Sequence, residues 1–396
     1  MMDLYKKFGF DEVVPRRGTN SVKWDTPADD DVLPMWIADM DFKAAPVIRE
    51  ALQRRMDHGV FGYTKVPQAY YEAIVDWFSR RHGWKIDPST ILYTIGVVPA
   101  VSTVIKAVTK PGDKVLVQTP VYNCFFSSIR NNDCIIEELP LTYSPEGYTV
   151  DFEAFERAVA DPQVTLFILC NPHNPGGRVW TRDELRRMGE ICFRHNVFVA
   201  SDEIHCELTF DGHEYTPFAS LGEEFARRSA SCISPTKAFN IAGMQIANIV
   251  AADDDVRRRI DRAINIFEVC DVNPFGVIAL IAAYNEGEEW LEALKSYVWD
   301  NYLFLKEFFA RELSAYPVLP LEGSYLAWVD CRQTGLTSAE LTERLEKEQK
   351  LMLNAGAMYG NAGEGFLRIN LACPRSVLAD GLERLRKFLT GTAAEK

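Results

Sequence analysis

Four short stretches of this sequence carry residue types able to do chemistry. The first is Ser234-Pro235-Thr236-Lys237-Ala238-Phe239-Asn240, which follows the strand-like run Ser231-Cys232-Ile233. A lysine in a partly desolvated site loses its preference for the charged form and becomes an amine nucleophile for a carbonyl. The hydroxyls of Ser234 and Thr236 can meanwhile donate to a phosphate. The second is Val197-Phe198-Val199-Ala200-Ser201-Asp202-Glu203-Ile204-His205, an apolar strand that ends in a carboxylate. Open α/β sheets bind ligands at that carboxyl edge. The third, Cys170-Asn171-Pro172-His173-Asn174-Pro175-Gly176-Gly177, uses two prolines and two glycines to build a rigid loop that can hold the Asn174 amide at a defined point. The fourth, Gly96-Val97-Val98-Pro99-Ala100, lies between a strand over 91–94 and a helix over 100–108, where backbone N–H groups can hold a phosphate without a cationic side chain. Each has an ordinary alternative: Lys237 in a surface loop, Asp202 as a cap or turn residue, Asn174 in a well-made turn. Gly96 is not part of a Gly-x-Gly-x-x-Gly or Gly-Lys-Ser/Thr pattern, so neither a dinucleotide fold nor a nucleotide triphosphatase is indicated.

The elements that must hold these residues show two alternating periodicities. From about 67 to about 234, short apolar runs such as 114–117, 164–169 and 197–200 alternate with longer amphipathic stretches such as 181–195. This predicts βαβ units, hence an α/β fold with a mostly parallel sheet covered by helices on both faces. After about 274 the pattern changes to helices over 275–285 and 290–315, strands over 324–329 and 365–371, and helices over 338–349 and 376–389. That is the pattern of a smaller α+β domain. With no repeats and no low-complexity linker, the domain boundary is expected inside a continuous helix around 285–315. The first 45 residues, punctuated by Pro15, Pro27 and Pro34, read as an extended arm with little regular structure. Trp24 and Trp36 require that arm to pack on something, the small domain or a neighbouring subunit.

Composition narrows the function classes. The chain has 396 residues, room for a large core and a smaller second one, and its 47% hydrophobic content excludes a disordered protein. Its 56 Asp plus Glu against 43 Lys plus Arg, a net charge of −13, argue against nucleic-acid or anionic-membrane partners. Nine cysteines is an odd count, and Cys170, Cys232 and Cys270 sit in apolar runs, as buried thiols would. With no Cys-x-x-Cys or His-Glu-x-x-His spacing, no metal is expected. The N-terminus lacks the apolar core of a signal peptide, and the longest apolar stretch, 274–284, is far short of the ~20 residues of a membrane span. A cytoplasmic location is expected.

Together and in this chain order, the four stretches resemble the fold-type I pyridoxal 5′-phosphate enzymes related to aspartate aminotransferase, over about 36–375. The phrases Trp36-Ile37-Ala38-Asp39-Met40-Asp41-Phe42, Gly59-Val60-Phe61-Gly62-Tyr63, Ser201-Asp202-Glu203-Ile204-His205 and Phe366-Leu367-Arg368-Ile369-Asn370-Leu371 are similar, more narrowly, to the MalY/PatB-like cystathionine β-lyases and cysteine-S-conjugate C–S lyases. The resemblance implies a seven-stranded sheet, a large cofactor-binding domain over 46–285, and a discontinuous small domain over 1–45 and 286–396. It implies that Lys237 bonds the cofactor and then acts as general base, that Asp202 keeps the pyridine nitrogen protonated, and that Tyr122 stacks on the ring and takes part in catalysis. Asn174 and His205 would lie near the ring 3′-oxygen. The phosphate would be held by Val97, Val98, Ser234, Thr236 and Tyr63 from a partner subunit, making the protein a homodimer with active sites at the interface. Arg368 would bind the substrate α-carboxylate as a bidentate fork, with Asn174, Trp36 and Tyr63 also near the substrate.

Two departures bear on the reaction. Gln245 stands where aminotransferases carry a phosphate-binding arginine, and His205 where they commonly carry a tyrosine. Both favour β-elimination on L-cystathionine or a related L-cysteine S-conjugate over transamination. The alternatives are a class I/II aminotransferase and, more remotely, a catalytically silent regulatory or binding protein.

Overall fold

The computed structural model describes residues 2–266 and 271–394. Its central sheet has seven strands: Ile91–Thr94 (β1), Lys114–Thr119 (β2), Ile135–Pro140 (β3), Val164–Cys170 (β4), Phe198–Asp202 (β5), Ser229–Ile233 (β6) and Ala247–Val250 (β7). Their spatial order is β1-β7-β6-β5-β4-β2-β3. Every neighbouring pair is parallel except those made by β7, which runs antiparallel to β1 and β6. The mostly parallel sheet is covered on both faces: all of β6 and β7 is buried, as is β4 apart from Thr165. The helix expected over 181–195 forms as Arg182–Arg194, and it starts where it does because Thr181 and Glu184 make a reciprocal capping box.

This topology brings the carboxyl ends of the central strands level. In the ladder Cys170 lies opposite Asp202 and Asp202 opposite Cys232, so the loops after β4, β5 and β6 leave the sheet side by side. The helix Val97–Val108, entered from β1, begins at the same edge.

Beyond the helices Pro274–Glu286 and Glu288–Glu312, Leu326–Asp330 (β8), Asn354–Ala355 (β9) and Phe366–Asn370 (β10) form an antiparallel sheet in the order β8-β10-β9. The helices Ser338–Gln349 and Arg375–Ala394 complete this part.

The arm departs from the expectation of little regular structure. It contains the helix Met2–Phe8 and the helical turn Val22–Asp25, the latter capped by Ser21. Burial supplies the reason: Tyr5 and Phe10 pack their rings on Tyr297, and the Tyr5 hydroxyl donates to Asp300 at 2.8 Å. Eight cysteines are free, Cys170 and Cys232 among the buried ones, and Cys270 lies outside the described residues. Among the described residues, no helix is long and apolar enough to cross a membrane.

Candidate active site

At the level strand ends, a cavity of about 190 Å³ is lined by Val97, Val98, Tyr122, Asn174, Asp202, His205, Thr236 and Lys237, eight of the residues expected from the sequence, and also by Ala38, Cys170, Ile204 and Gln245.

Asp202 closes β5 and is buried, and one side-chain hydrogen bond reaches it, from the Ile204 N–H to Oδ1 at 3.1 Å. A carboxylate has acceptor capacity for about four donors. Burial, followed by the neighbouring Glu203 carboxylate, outweighs that bond and the Lys237 charge and raises its pKa to about 7. Lys237 shows the complementary shift. Its ammonium donates to the Ala38 carbonyl, and desolvation, then the nearby Arg368 charge, lower its pKa to about 8. His205 is buried with no partner for Nδ1, and burial together with the charges of Lys237 and Arg368 lowers its pKa to about 3, so the ring is neutral.

The loop after β4 is held by its glycines. Gly177 has φ +69°, and a Cβ on Gly176 would stand 2.9 Å from both His173 and Tyr148. The Asn174 backbone N–H donates to Cys170 Sγ at 3.4 Å, and its side-chain Oδ1 accepts from Arg368 Nη1 at 3.2 Å. Arg368 comes from β10, so this bond ties the small sheet to the large one. Its Nη2 donates to the Trp36 carbonyl at 2.8 Å, the guanidinium lies 4.9 Å above the Tyr359 ring, and the buried Nε has no partner.

Four expected residues do not line the cavity: Arg368, which reaches the lining through Asn174, and three others. Ser234 does not line the cavity: its hydroxyl donates to the Ile246 carbonyl at 2.6 Å and accepts from the Thr236 N–H at 3.1 Å, so it props the turn that presents Thr236. The Trp36 indole donates to the Lys23 carbonyl, and what this residue turns toward Arg368 is its backbone carbonyl. Tyr63 is 97% exposed and outside the cavity of its own chain.

Sequence reasoning did not single out Ala38, which anchors Lys237, or Tyr325, whose hydroxyl donates to the same carbonyl at 2.9 Å. It also passed over Tyr359 beneath Arg368. The only trace of Ala38 was the phrase at 36–42; an acceptor carbonyl has no residue-type signal.

The cavity suits pyridoxal 5′-phosphate on its own chemistry. The N-terminus of Val97–Val108 has no side-chain cap, which leaves backbone N–H groups of Val97 and Val98 for a phosphate beside the Thr236 hydroxyl. The under-satisfied Asp202 is matched to a protonated ring nitrogen, and Lys237 is an amine with a depressed pKa in the same cavity.

A family model described as aminotransferase class I and II matches residues 30–385. The chain is 44% identical over 385 residues to cystathionine β-lyase PatB of Bacillus subtilis, covering 96% of this chain and all of that protein. Cystalysin of Treponema denticola, solved with a pyridoxal 5′-phosphate cofactor, superposes with a TM-score of 0.91 at 35% identity, over 96% of this chain and 98% of that one. The pyridoxal-phosphate-bound C–S lyase of Staphylococcus hominis gives 0.90 at 31% identity with the same coverages.

Proposed function

The chain belongs to the aminotransferase class I and II family, and from that premise we propose that it is a pyridoxal 5′-phosphate-dependent C–S lyase that cleaves L-cystathionine or a related L-cysteine S-conjugate by β-elimination. The observation that carries this reading is the 44% identity, over the full length of the relative, to a cystathionine β-lyase.

When bound, the cofactor supplies an electron sink for charge developing at the substrate Cα. The chain supplies the rest. Arg368, steadied by Asn174, the Trp36 carbonyl and the Tyr359 ring, offers its unpartnered Nε to the α-carboxylate. Lys237 Nζ, with a pKa brought down to about 8, takes the Cα proton near neutral pH. Asp202 keeps a negative charge beside the ring nitrogen, and the ring's own positive charge answers the desolvation that otherwise raises its pKa. The neutral His205 adds no positive charge to a site already holding Lys237 and Arg368. The Cβ–S bond then breaks, the sulfur leaves as the thiol product, and with one water consumed the remaining carbons and nitrogen end as pyruvate and ammonia.

Product analysis tests the reading. Cystathionine should release homocysteine and pyruvate in equal amounts. Amino transfer to a keto acid without thiol release would instead make the chain an aminotransferase, because both reactions share Cα deprotonation and a tenfold change in partition is worth only about 1.4 kcal/mol.

Homodimerisation is part of the proposal. Tyr63 stands 97% exposed beside Val60 and Phe61, 63% and 53% exposed, an apolar stretch that a second subunit would cover. Coexpressing Lys237→Ala and Tyr63→Ala chains checks it. If Tyr63 serves the neighbouring site, mixed dimers regain one intact site, roughly a quarter of wild-type activity overall. If it serves its own chain, no activity returns.

A further inference from the structure

The sequence has none of the short spacings that announce a metal site, yet the fold brings three ligand types together outside the cofactor cavity. His82 ends the helix Gln68–His82, and Cys206 and Glu207 lie in the turn that follows β5. His82 Nε2, Cys206 Sγ and a Glu207 oxygen lie within 4.8 Å of one another. We propose that these three side chains bind a divalent cation of zinc-like character, with a solvent molecule completing the coordination.

The distances fit such an ion after a small adjustment. His82 Nε2 stands 2.7 Å and Cys206 Sγ 3.7 Å from the same oxygen, Glu207 Oε1. Tetrahedral zinc at ~2.0–2.3 Å from N, O and S ligands keeps its ligand atoms roughly 3.3–3.8 Å apart, so the imidazole and carboxylate must separate by less than about 1 Å, and His82 Nε2 and Cys206 Sγ, within 4.8 Å of each other, need approach by no more than about 1–1.5 Å. The His82 imidazole and the Cys206 thiol now each direct a proton at Glu207 Oε1. On cation uptake the Cys206 thiol proton goes to solvent, and the Nε2 proton of His82 leaves for solvent or is replaced by one on Nδ1. The thiolate and carboxylate together neutralise the two positive charges.

The surroundings resemble the outer shell that metal ligands need. Trp77 Nε1 donates to Glu207 Oε1 at 2.7 Å and Arg81 Nε to Oε2 at 2.9 Å, fixing the carboxylate while leaving Oε1 a second lone pair. The Arg81 charge is answered from the other side by Glu288 and Glu292, at 2.6 and 2.7 Å. The Tyr215 ring meets His82 edge-on at 4.9 Å and sets its plane. A separate cavity of about 320 Å³, which shares no lining residue with the cofactor cavity, opens beside the cluster and has room for the solvent ligand. The ion would clip the end of the Gln68–His82 helix to the turn that follows Asp202 and that also carries His205, both of which line the cofactor cavity.

The test is a titration of chelator-treated holoenzyme with Co²⁺. One equivalent should give d–d absorption at the red end of the spectrum, away from the cofactor band, together with a thiolate-to-cobalt charge-transfer band, and Zn²⁺ should abolish both. Cys206→Ala should lose the charge-transfer band, and Cys134→Ala, a thiol elsewhere in the fold, should keep it. His82→Gln, which can still donate to Glu207, should weaken binding at least tenfold and serves as the second arm if Cys206→Ala folds poorly. Absence of d–d bands at stoichiometric Co²⁺, or bands unchanged in both variants, overturns the proposal and leaves the cluster as a hydrogen-bonded network.

Discussion

Two groups of charges lie close together in this protein and are built on opposite terms. In the arm, Arg16, Lys23, Asp39 and Asp41 satisfy one another. Lys23, 1% exposed, meets Asp41 Oδ2 at 2.7 Å; Arg16 meets Asp41 Oδ1 at 2.7 Å and Asp39 Oδ2 at 2.6 Å; and the Trp24 indole donates to Asp41 Oδ1 at 2.8 Å. At the strand ends, Asp202 has one protein donor, His205 Nδ1 and Arg368 Nε have no partner, and the pKa values of Asp202 and Lys237 are displaced toward neutrality, to about 7 and about 8. The first arrangement holds a chain segment in place. The second leaves binding capacity in hand for a cofactor and a substrate, at a cost in stability to the empty protein.

The contrast can be broken most directly at Arg368. Arg368→Gln should lower kcat/KM on cystathionine by roughly 30- to 5,000-fold, the ~2–5 kcal/mol of a buried charge pair losing one partner, with cofactor content and thermal stability nearly unchanged. A large loss of Tm with little change in KM would mean that Arg368 is a structural residue like those of the arm. Lys23→Met should do the reverse. Leaving Asp41 buried without its ammonium should cost about 3–5 kcal/mol in a denaturant melt, while the folded fraction keeps its kcat. The smallest effect is on pH dependence. In cofactor-free protein the raised Asp202 pKa means that the unfolded chain releases this proton more readily than the folded one. Stability should therefore fall as pH rises from about 3.8 to about 7. Asp202→Asn should flatten that slope by a few kcal/mol at most, and its apoprotein should be no less stable than wild type at pH 7. Scanning calorimetry across that range decides it; an unaltered slope would place Asp202 with the satisfied carboxylates.

Much of the site was legible because its parts are local. The strand that ends in Asp202, the loop with two prolines and two glycines around Asn174, and the helix entry after Gly96 are patterns within about ten residues, and all three formed, although the helix expected over 100–108 starts three residues earlier, at Val97. The arm's helix escaped because its stability comes from Tyr297 and neighbouring rings nearly 300 residues away in sequence. Strand β3 was equally faint, since it lies at a sheet edge with a half-polar burial pattern. Ser234 shows a subtler limit. A hydroxyl near a lysine can face the ligand or brace the turn, and the choice was made by the carbonyl of Ile246.

By itself, then, the sequence determined the alternation of strands and helices and the residue types at the carboxyl edge, because backbone periodicity and turn chemistry act over a few residues; the family was legible only through the resemblance of several phrases in fixed order. Only the tertiary structure decided which groups meet and how they ionise. Arg368 reaches Asn174 across 194 residues, Lys237 reaches the Ala38 carbonyl across 199, and His82 meets Glu207 across 125. Desolvation and charge at such meetings set the pKa values of Asp202 and Lys237, and both arise from burial created by distant segments, which no local pattern encodes.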